Sequence, residues 1–240
     1  MIKIKNLTAT SLDEPLLDDI NLSISPGEVH LVTGPKFSGK SALAHIITGH
    51  PGITIKKGGV YWGRSKLNNM PTEDRIALGI YISFQNPPDF DNLTNWELFQ
   101  SLFLIKNTDL DDARNQYDEY CDLLGLSPGH GDKFIIPELA DSSQAKKNEL
   151  LFMMASSPSF LIFDEIDDGL NDDDIIALGA VIEAYLEDRK TSCLIITRNQ
   201  LLMEVIKPTH VHVMSDGKIR LSGDSEVFKR IIDDGCTEFS

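Results

Sequence analysis

Two short stretches carry residues that could do chemistry together. "TGPKFSGKSALA", residues 33–44, sets Gly34, Gly39, Lys40 and Ser41 at the spacing G-x-x-x-x-G-K-[ST]. Glycines in that pattern let a loop aim successive backbone N–H groups at one point, and the positive end of a following helix adds to the attraction for an anion. Phosphate oxygens suit a cradle built from Gly34, Pro35, Lys36, Phe37, Ser38, Gly39, Lys40, Ser41 and Ala42. Lys40 would reach terminal phosphates as a point charge, and Ser41 would give its hydroxyl to a magnesium ion. The second stretch, "FLIFDEIDDGL", ends an apolar run on Asp164 and Glu165. A carboxylate at the carboxyl edge of a parallel strand faces the same crevice as a glycine loop, so Asp164 suits magnesium and Glu165 suits polarising a water. Seven of the eleven residues from Asp164 to Asp174 are acidic, so a solvated acidic loop is the alternative; their spacing does not fit a calcium loop.

These groups need a frame, and the flanking pattern predicts one. "EVHLV" reads as a short buried strand entering the glycine loop, and Ala42, Leu43, Ile46 and Ile47 give the next segment an apolar helical face ending at Gly49. Before it, "MIKIKNLTA" and "INLSIS" alternate like half-exposed strands. "GGVYWG" and "GIYISFQ" read as strands, with "PTEDRIAL" as a short helix between them. From about Leu93 to Leu126 the pattern turns helical, and after Pro158 strands and helices alternate: "FLIFD", a helix over 172–188, "CLIIT", a helix from Leu201, "HVHVM", the turn "DGK" and "IRLSG". Apolar strands separated by helices imply a mostly parallel sheet covered on both faces. The expectation is a single α/β domain, with a core over 1–86 and 155–240 and a helical subdomain over 87–154.

The 240 residues suffice for one large domain with a substantial interior. A formal charge of −15 argues against sequence-independent nucleic-acid binding, which needs clustered Lys and Arg. Cys121, Cys193 and Cys236 are widely spaced and lack a C-x-x-C pair, which fits a reducing compartment. No basic-then-apolar leader pattern and no membrane-length apolar run occur, so the expected location is cytoplasmic, without membrane insertion. His210 and His212 alternate on a predicted strand and share one face, where a metal pair is conceivable beside ordinary packing roles.

With its glycine loop, acidic strand end and intervening helices, the sequence resembles the ATP-binding cassette ATPases, and within them the SufC-type ATPases of the Suf iron–sulfur assembly system. The likeness runs through "PGEVHLVTGPKFSGKSALAHIITGHPGITIKKGGVYW", "PTEDRIALGIYISFQNPPDF", "KKNELLFMMASSPSFLIFDE", "GLNDDD" and "KPTHVHVMSDGKIRLSGD". The resemblance implies a P-loop core with a mostly parallel sheet, amino-terminal antiparallel strands and an inserted helical subdomain. It implies ATP and Mg2+ as ligands, with Gln85 sensing the magnesium and the third phosphate. It also implies docking on SufB-like and SufD-like scaffold proteins, and nucleotide-driven pairing with a second copy or with a paralogous ATPase.

The sequence departs from that family at several points. Asp141, Ser142, Ser143 and Gln144 stand where the family's serine and glycines close over the other subunit's ATP, and an acidic residue there is poorly matched to a phosphate. "DSSQ" also fits a helix cap, with Asp141 as N-cap. Arg198 takes the place of a histidine after "CLIIT", and as a permanent cation it can only donate. Phe37, Ala42, Ile166 and Asn171 replace a glycine, a threonine, a proline and an aspartate. Three readings stay open: a Suf-type ATPase, a catalytically impaired subunit that pairs with an intact paralogue, and the motor subunit of a transporter.

Overall fold

The computed structural model describes residues 1–83, 92–106, 109–135, 142–187, 190–224 and 226–229. Gln85, Asp141 and Cys236 lie outside the described residues. The amino-terminal alternation forms a hairpin, in which β1 (Ile2–Ser11) pairs antiparallel with β2 (Glu14–Ile24). Period-two patterning puts Ile2, Ile4, Leu7, Leu17, Ile20 and Ile24 inside. The fully buried β3 (Val29–Thr33) then runs into the glycine loop and α1 (Lys40–Thr48), which Gly49 stops in a left-handed C-cap. β4 (Thr54–Trp62) adds to the free side of β1, and the short β5 (Ser65–Lys66) completes a four-stranded antiparallel sheet.

Pro71 stands at the N-cap position of α2 (Thr72–Ala77), which leads to β6 (Ile80–Ile82). Within α2 the buried Arg75 donates to the carbonyls of Ile46 and Ile47 in α1 and of Leu67 and Met70. Its cation sits on the negative end of α1, while burial pulls its pKa below the usual arginine range. The residues that follow include α3 (Asn95–Lys106), α4 (Leu110–Leu124), a 3₁₀ turn at His130–Asp132 and α5 (Ser142–Ser156). Asp109 caps α4 by accepting from the Asp111 N–H, and Gly125 ends it. His130 holds these helices together: Nδ1 meets the Tyr117 hydroxyl at 2.8 Å and Nε2 meets Asn148 Oδ1 at 2.7 Å.

β7 (Phe160–Asp164), α6 (Asp172–Leu186), β8 (Ser192–Ile196), α7 (Gln200–Val205), β9 (His210–Ser215) and β10 (Lys218–Gly223) complete the described elements. They extend a six-stranded sheet of order β10-β9-β3-β8-β7-β6, parallel except for β10. One face packs on α3 to α6 through residues such as Phe99, Phe163, Leu178 and Ile195; the other packs on α1 and the antiparallel sheet through Leu43, Phe160, Ile162 and Ile196. Each fully buried side chain of that size stabilises by roughly 1.5–3 kcal/mol. Among the described residues no helix is long and apolar enough to cross a membrane.

Candidate functional site

Strand register brings the two chemical stretches together. Ile196 of β8 lies opposite Val32 of β3 on one side and opposite Asp164 of β7 on the other. The glycine loop and the acidic strand end therefore leave the sheet at the same level. Backbone bonds fix both exits: Thr197 N–H donates to Val32 O and Glu165 N–H donates to Ile196 O.

The loop conformation needs its glycines. Gly34 has φ 140° and Gly39 φ 99°; a side chain at Gly34 would run into the Met214 carbonyl, and one at Gly39 would come within 2.9 Å of the Leu16 carbonyl. The Gly217 N–H donates to Ser38 O and pins the loop to the turn after β9. Gly34, Ser38 and Lys40 are buried, Gly39, Ser41 and Ala42 half-buried, and Pro35, Lys36 and Phe37 form the exposed tip. Lys40 Nζ donates to Gly34 O at 3.0 Å and Pro35 O at 2.8 Å, so its ammonium sits inside the turn. No side chain caps α1, and its first turn holds no acidic residue, so the positive helix end faces the loop undiminished.

Ser41 Oγ donates to Asp164 Oδ1 at 3.1 Å. Ser83 Oγ in turn accepts from the Asp164 N–H, a fixing contact that nothing in the sequence pattern signals. Asp164 is 1 % exposed, and its second oxygen is buried with no hydrogen-bond partner among the described residues. Burial raises its pKa, against the lowering effect of the Ser41 bond and Lys40; neighbouring Glu165 raises it further. A divalent cation next to Ser41 would relieve both the desolvation and the orphaned oxygen. The donor set, one hydroxyl and one carboxylate beside a phosphate cradle, fits magnesium, which binds through few protein oxygens and keeps its waters.

Glu165 takes a left-handed backbone with φ 51°, an uncommon state for a side chain with a Cβ. That turn aims its carboxylate at Arg198, whose Nε lies 3.4 Å from Oε1. Asp167, two residues on, has a buried Oδ1 without a partner among the described residues, and burial raises its pKa although Thr197 hydrogen-bonds it. Ser143, in the segment that departs from the family, donates to Asp174 Oδ1 at 2.8 Å in the first turn of α6. Asn171 caps that helix by accepting from the Asp174 N–H, so part of the acidic run serves the helix dipole.

Thus the structure groups Gly34 to Ala42, Asp164, Glu165 and Arg198 along one sheet edge, while Gln85 and Asp141 lie outside the described residues. The sequence profile of the family described as ABC transporter matches residues 17–167. The chain is 34% identical over 236 residues to the probable ATP-dependent transporter slr0075 of Synechocystis sp., covering 95% of this chain and 91% of that protein. It is 30% identical over 238 residues to the probable ATP-dependent transporter ycf16 of Trieres chinensis, covering 96% and 94%. Its fold superposes on the ADP conformation of MJ1267, an ATP-binding cassette of an ABC transporter, with a TM-score of 0.79 at 21% identity, over 98% of this chain and 95% of that one. A glycine loop and an acidic strand end held at one level of a parallel sheet, on a chain matched along nearly its whole length, make this protein an ATPase domain of the ABC transporter family.

Proposed function

We propose that this chain is the ATP-binding subunit of a Suf-type iron–sulfur cluster assembly complex, coupling ATP binding and hydrolysis to the remodelling of SufB-like and SufD-like scaffold subunits. The observation that carries the nucleotide reading is the Ser41–Asp164 contact, with the second Asp164 oxygen buried and, among the described residues, unpartnered at the mouth of the glycine loop. Bound magnesium–ATP supplies the phosphoryl group whose transfer to water drives the cycle. The loop amides and Lys40 bind phosphate oxygens, Ser41 and Asp164 hold the metal, and Glu165 orients a water and accepts its proton. The Suf assignment is supported by the likeness of the "PTEDRIALGIYISFQNPPDF" run and the "HVHVM" ending to SufC-type ATPases; in the first run Arg75 joins α2 to the end of the phosphate-loop helix through Ile46 and Ile47. That junction gives movement of the loop a mechanical route to the surface carrying α2.

The test is turnover of the purified chain with magnesium and ATP, alone and with a SufB-like and a SufD-like partner. Turnover that collapses in Glu165→Gln supports the ATPase reading, and co-purification with the scaffold supports the pathway. A chain that binds no slowly hydrolysed ATP analogue, even with the scaffold present, overturns the reading.

One observation favours a second reading, an impaired subunit that pairs with an intact paralogue. Arg198 lies in ion-pair range of Glu165 and holds the carboxylate that would otherwise serve the water. On this reading ATP is bound and retained, and co-purification with an intact ATPase paralogue replaces homodimer formation. A stable ATP-dependent homodimer counts against it.

A further inference from the structure

At the amino end of β3, the end opposite the phosphate loop, imidazoles gather on one sheet face. Parallel register sets His30 beside His210 and Val32 beside His212, so alternation turns all three rings the same way. The His30 ring stacks on His210 with centroids 4.5 Å apart and on His212 at 5.1 Å. Glu28 joins from the turn before β3, its Oε2 lying 3.0 Å from His30 Nε2. One donor atom each from Glu28, His30 and His210 falls within 4.8 Å of the others, which makes this the one such group among the described residues.

We propose that Glu28, His30 and His210 form a divalent transition-metal site of the zinc type, with His212 as the positioning residue behind His30. Two imidazoles and a carboxylate are a ligand set that zinc accepts, with a further position for water. Each ligand is already oriented from behind, as metal-bound histidines require. His30 Nδ1 lies 2.9 Å from His212 Nε2, and His212 Nδ1 lies 2.8 Å from Ser222 Oγ. His210 places Nδ1 3.0 Å from Thr209 Oγ1, which leaves Nε2 as its ligand atom, and that hydroxyl donates to Val29 O. Glu28 Oε2 accepts the Ser25 N–H, which fixes the carboxylate.

Protonation states agree with this. Burial keeps His30 below the usual histidine range, and burial beside His30 and His210 pushes His212 down to about 3. Against the opposing effect of burial, hydrogen bonds from Ser25 and His30 hold the Glu28 carboxyl below its ordinary value. Neutral rings and an ionised carboxylate are the forms a metal binds. His30 and His212 are buried, while Glu28 and His210 are half-buried and leave a way in. On binding, His30 loses its Nε2 proton to solvent and takes one at Nδ1 from His212 Nε2. His212 regains a proton from solvent at Nδ1, so the protein's charge is unchanged by the exchange.

The site ties β3 to β9, and the same two strands meet again where Gly34 packs on Met214 at the phosphate loop. The experiment titrates the full chain, stripped by chelation, with Zn2+ against a chromophoric chelator. Expected is one ion per chain, with affinity lowered at least tenfold in His210→Ala and in Glu28→Gln. His212→Gln lowers it by roughly tenfold to a hundredfold. Ring 15N shifts of His212 should report the move of its proton from Nε2 to Nδ1 on zinc addition. His50→Ala, which removes a ring from the separate His45–His50 stack, leaves affinity unchanged and guards against general unfolding effects. The proposal is overturned by a chain that takes up no zinc, by uptake insensitive to His210→Ala and Glu28→Gln, or by a Co2+ derivative with thiolate charge-transfer bands.

Discussion

The two halves of the nucleotide site are built to different standards. The half that would grip phosphate is complete: two left-handed glycines, a buried lysine, an uncapped helix start and a serine 3.1 Å from a buried aspartate. The half that would complete the reaction is occupied by contacts within the chain itself. Arg198 holds Glu165, Ser143 is tied to Asp174, and Phe37 stands fully exposed at the loop tip. Binding and closure are separable properties of one fold, and here, Ala42 in the cradle aside, the replacements at Phe37, Ser143 and Arg198 fall on the closure side.

The comparison breaks most severely if the gripping half is not essential. Lys40→Ala is expected to weaken binding of a slowly hydrolysed magnesium–ATP analogue by roughly a hundredfold, since hydrogen bonds to charged groups are worth about 1.5–3 kcal/mol and each tenfold is about 1.4. Calorimetry of the variant against wild type checks it, and an unchanged affinity would place the nucleotide elsewhere. Next in size is Arg198→His. Freeing Glu165 from a cation should raise steady-state turnover by about tenfold while leaving affinity nearly constant, a gain below the roughly hundredfold at which full general-base effects begin. Turnover that stays flat, with Glu165→Gln equally inert, would locate the impairment outside the Arg198–Glu165 pair.

Asp164 gives a smaller effect with a definite sign. Its folded pKa is raised, so the folded chain binds the proton more tightly than the unfolded chain does. That contribution is fully present below the ordinary aspartate pKa and is lost as pH rises through the raised folded value. Without nucleotide, therefore, wild type should lose stability across that window. Asp164→Asn should lack the slope, and magnesium–ATP should flatten it in wild type by favouring the ionised carboxylate. Urea midpoints at a series of pH values, with and without ligand, measure both.

Much of the gripping half could be read from sequence because it is local: eight residues set the loop, and an apolar run of four delivers Asp164. The parallel sheet followed from the alternation of apolar strands and helices, and the paired amino-terminal strands from their period of two. What could not be read is what depends on distant register. Arg198 and Glu165 are 33 residues apart, Ser143 and Asp174 are 31 apart, and His30 reaches His212 across 182. The sequence gives His210 and His212 one face but is silent about His30 beside them, because strand order is a tertiary property. The sequence places Arg75 in a short helix and no more, whereas the carbonyls at the end of α1 make it a buried junction.

The smallest expected effect is also the sharpest test of why the closure half differs. Phe37 holds φ 63°, a left-handed backbone that costs a non-glycine residue roughly 1–2 kcal/mol. Phe37→Gly removes that strain but lets the unfolded chain gain roughly 0.5–1 kcal/mol of conformational freedom. Its ring is 100% exposed, so no core contact is lost. The strain relief is the larger of the two, and the melting temperature should rise by no more than a few degrees, since about 1 kcal/mol corresponds to roughly 2–4 °C in a domain of this size. Association is where the substitution should register. An exposed aromatic ring on the loop that a second cassette would cover stabilises pairing only with a surface shaped to receive it. If Phe37→Gly weakens ATP-dependent association with a paralogue while leaving ATP affinity alone, the strained residue serves the partner. If association is indifferent and only the melting temperature rises, Phe37 is a tolerated replacement, and the contrast between the halves reduces to Arg198 and the segment at Ser143.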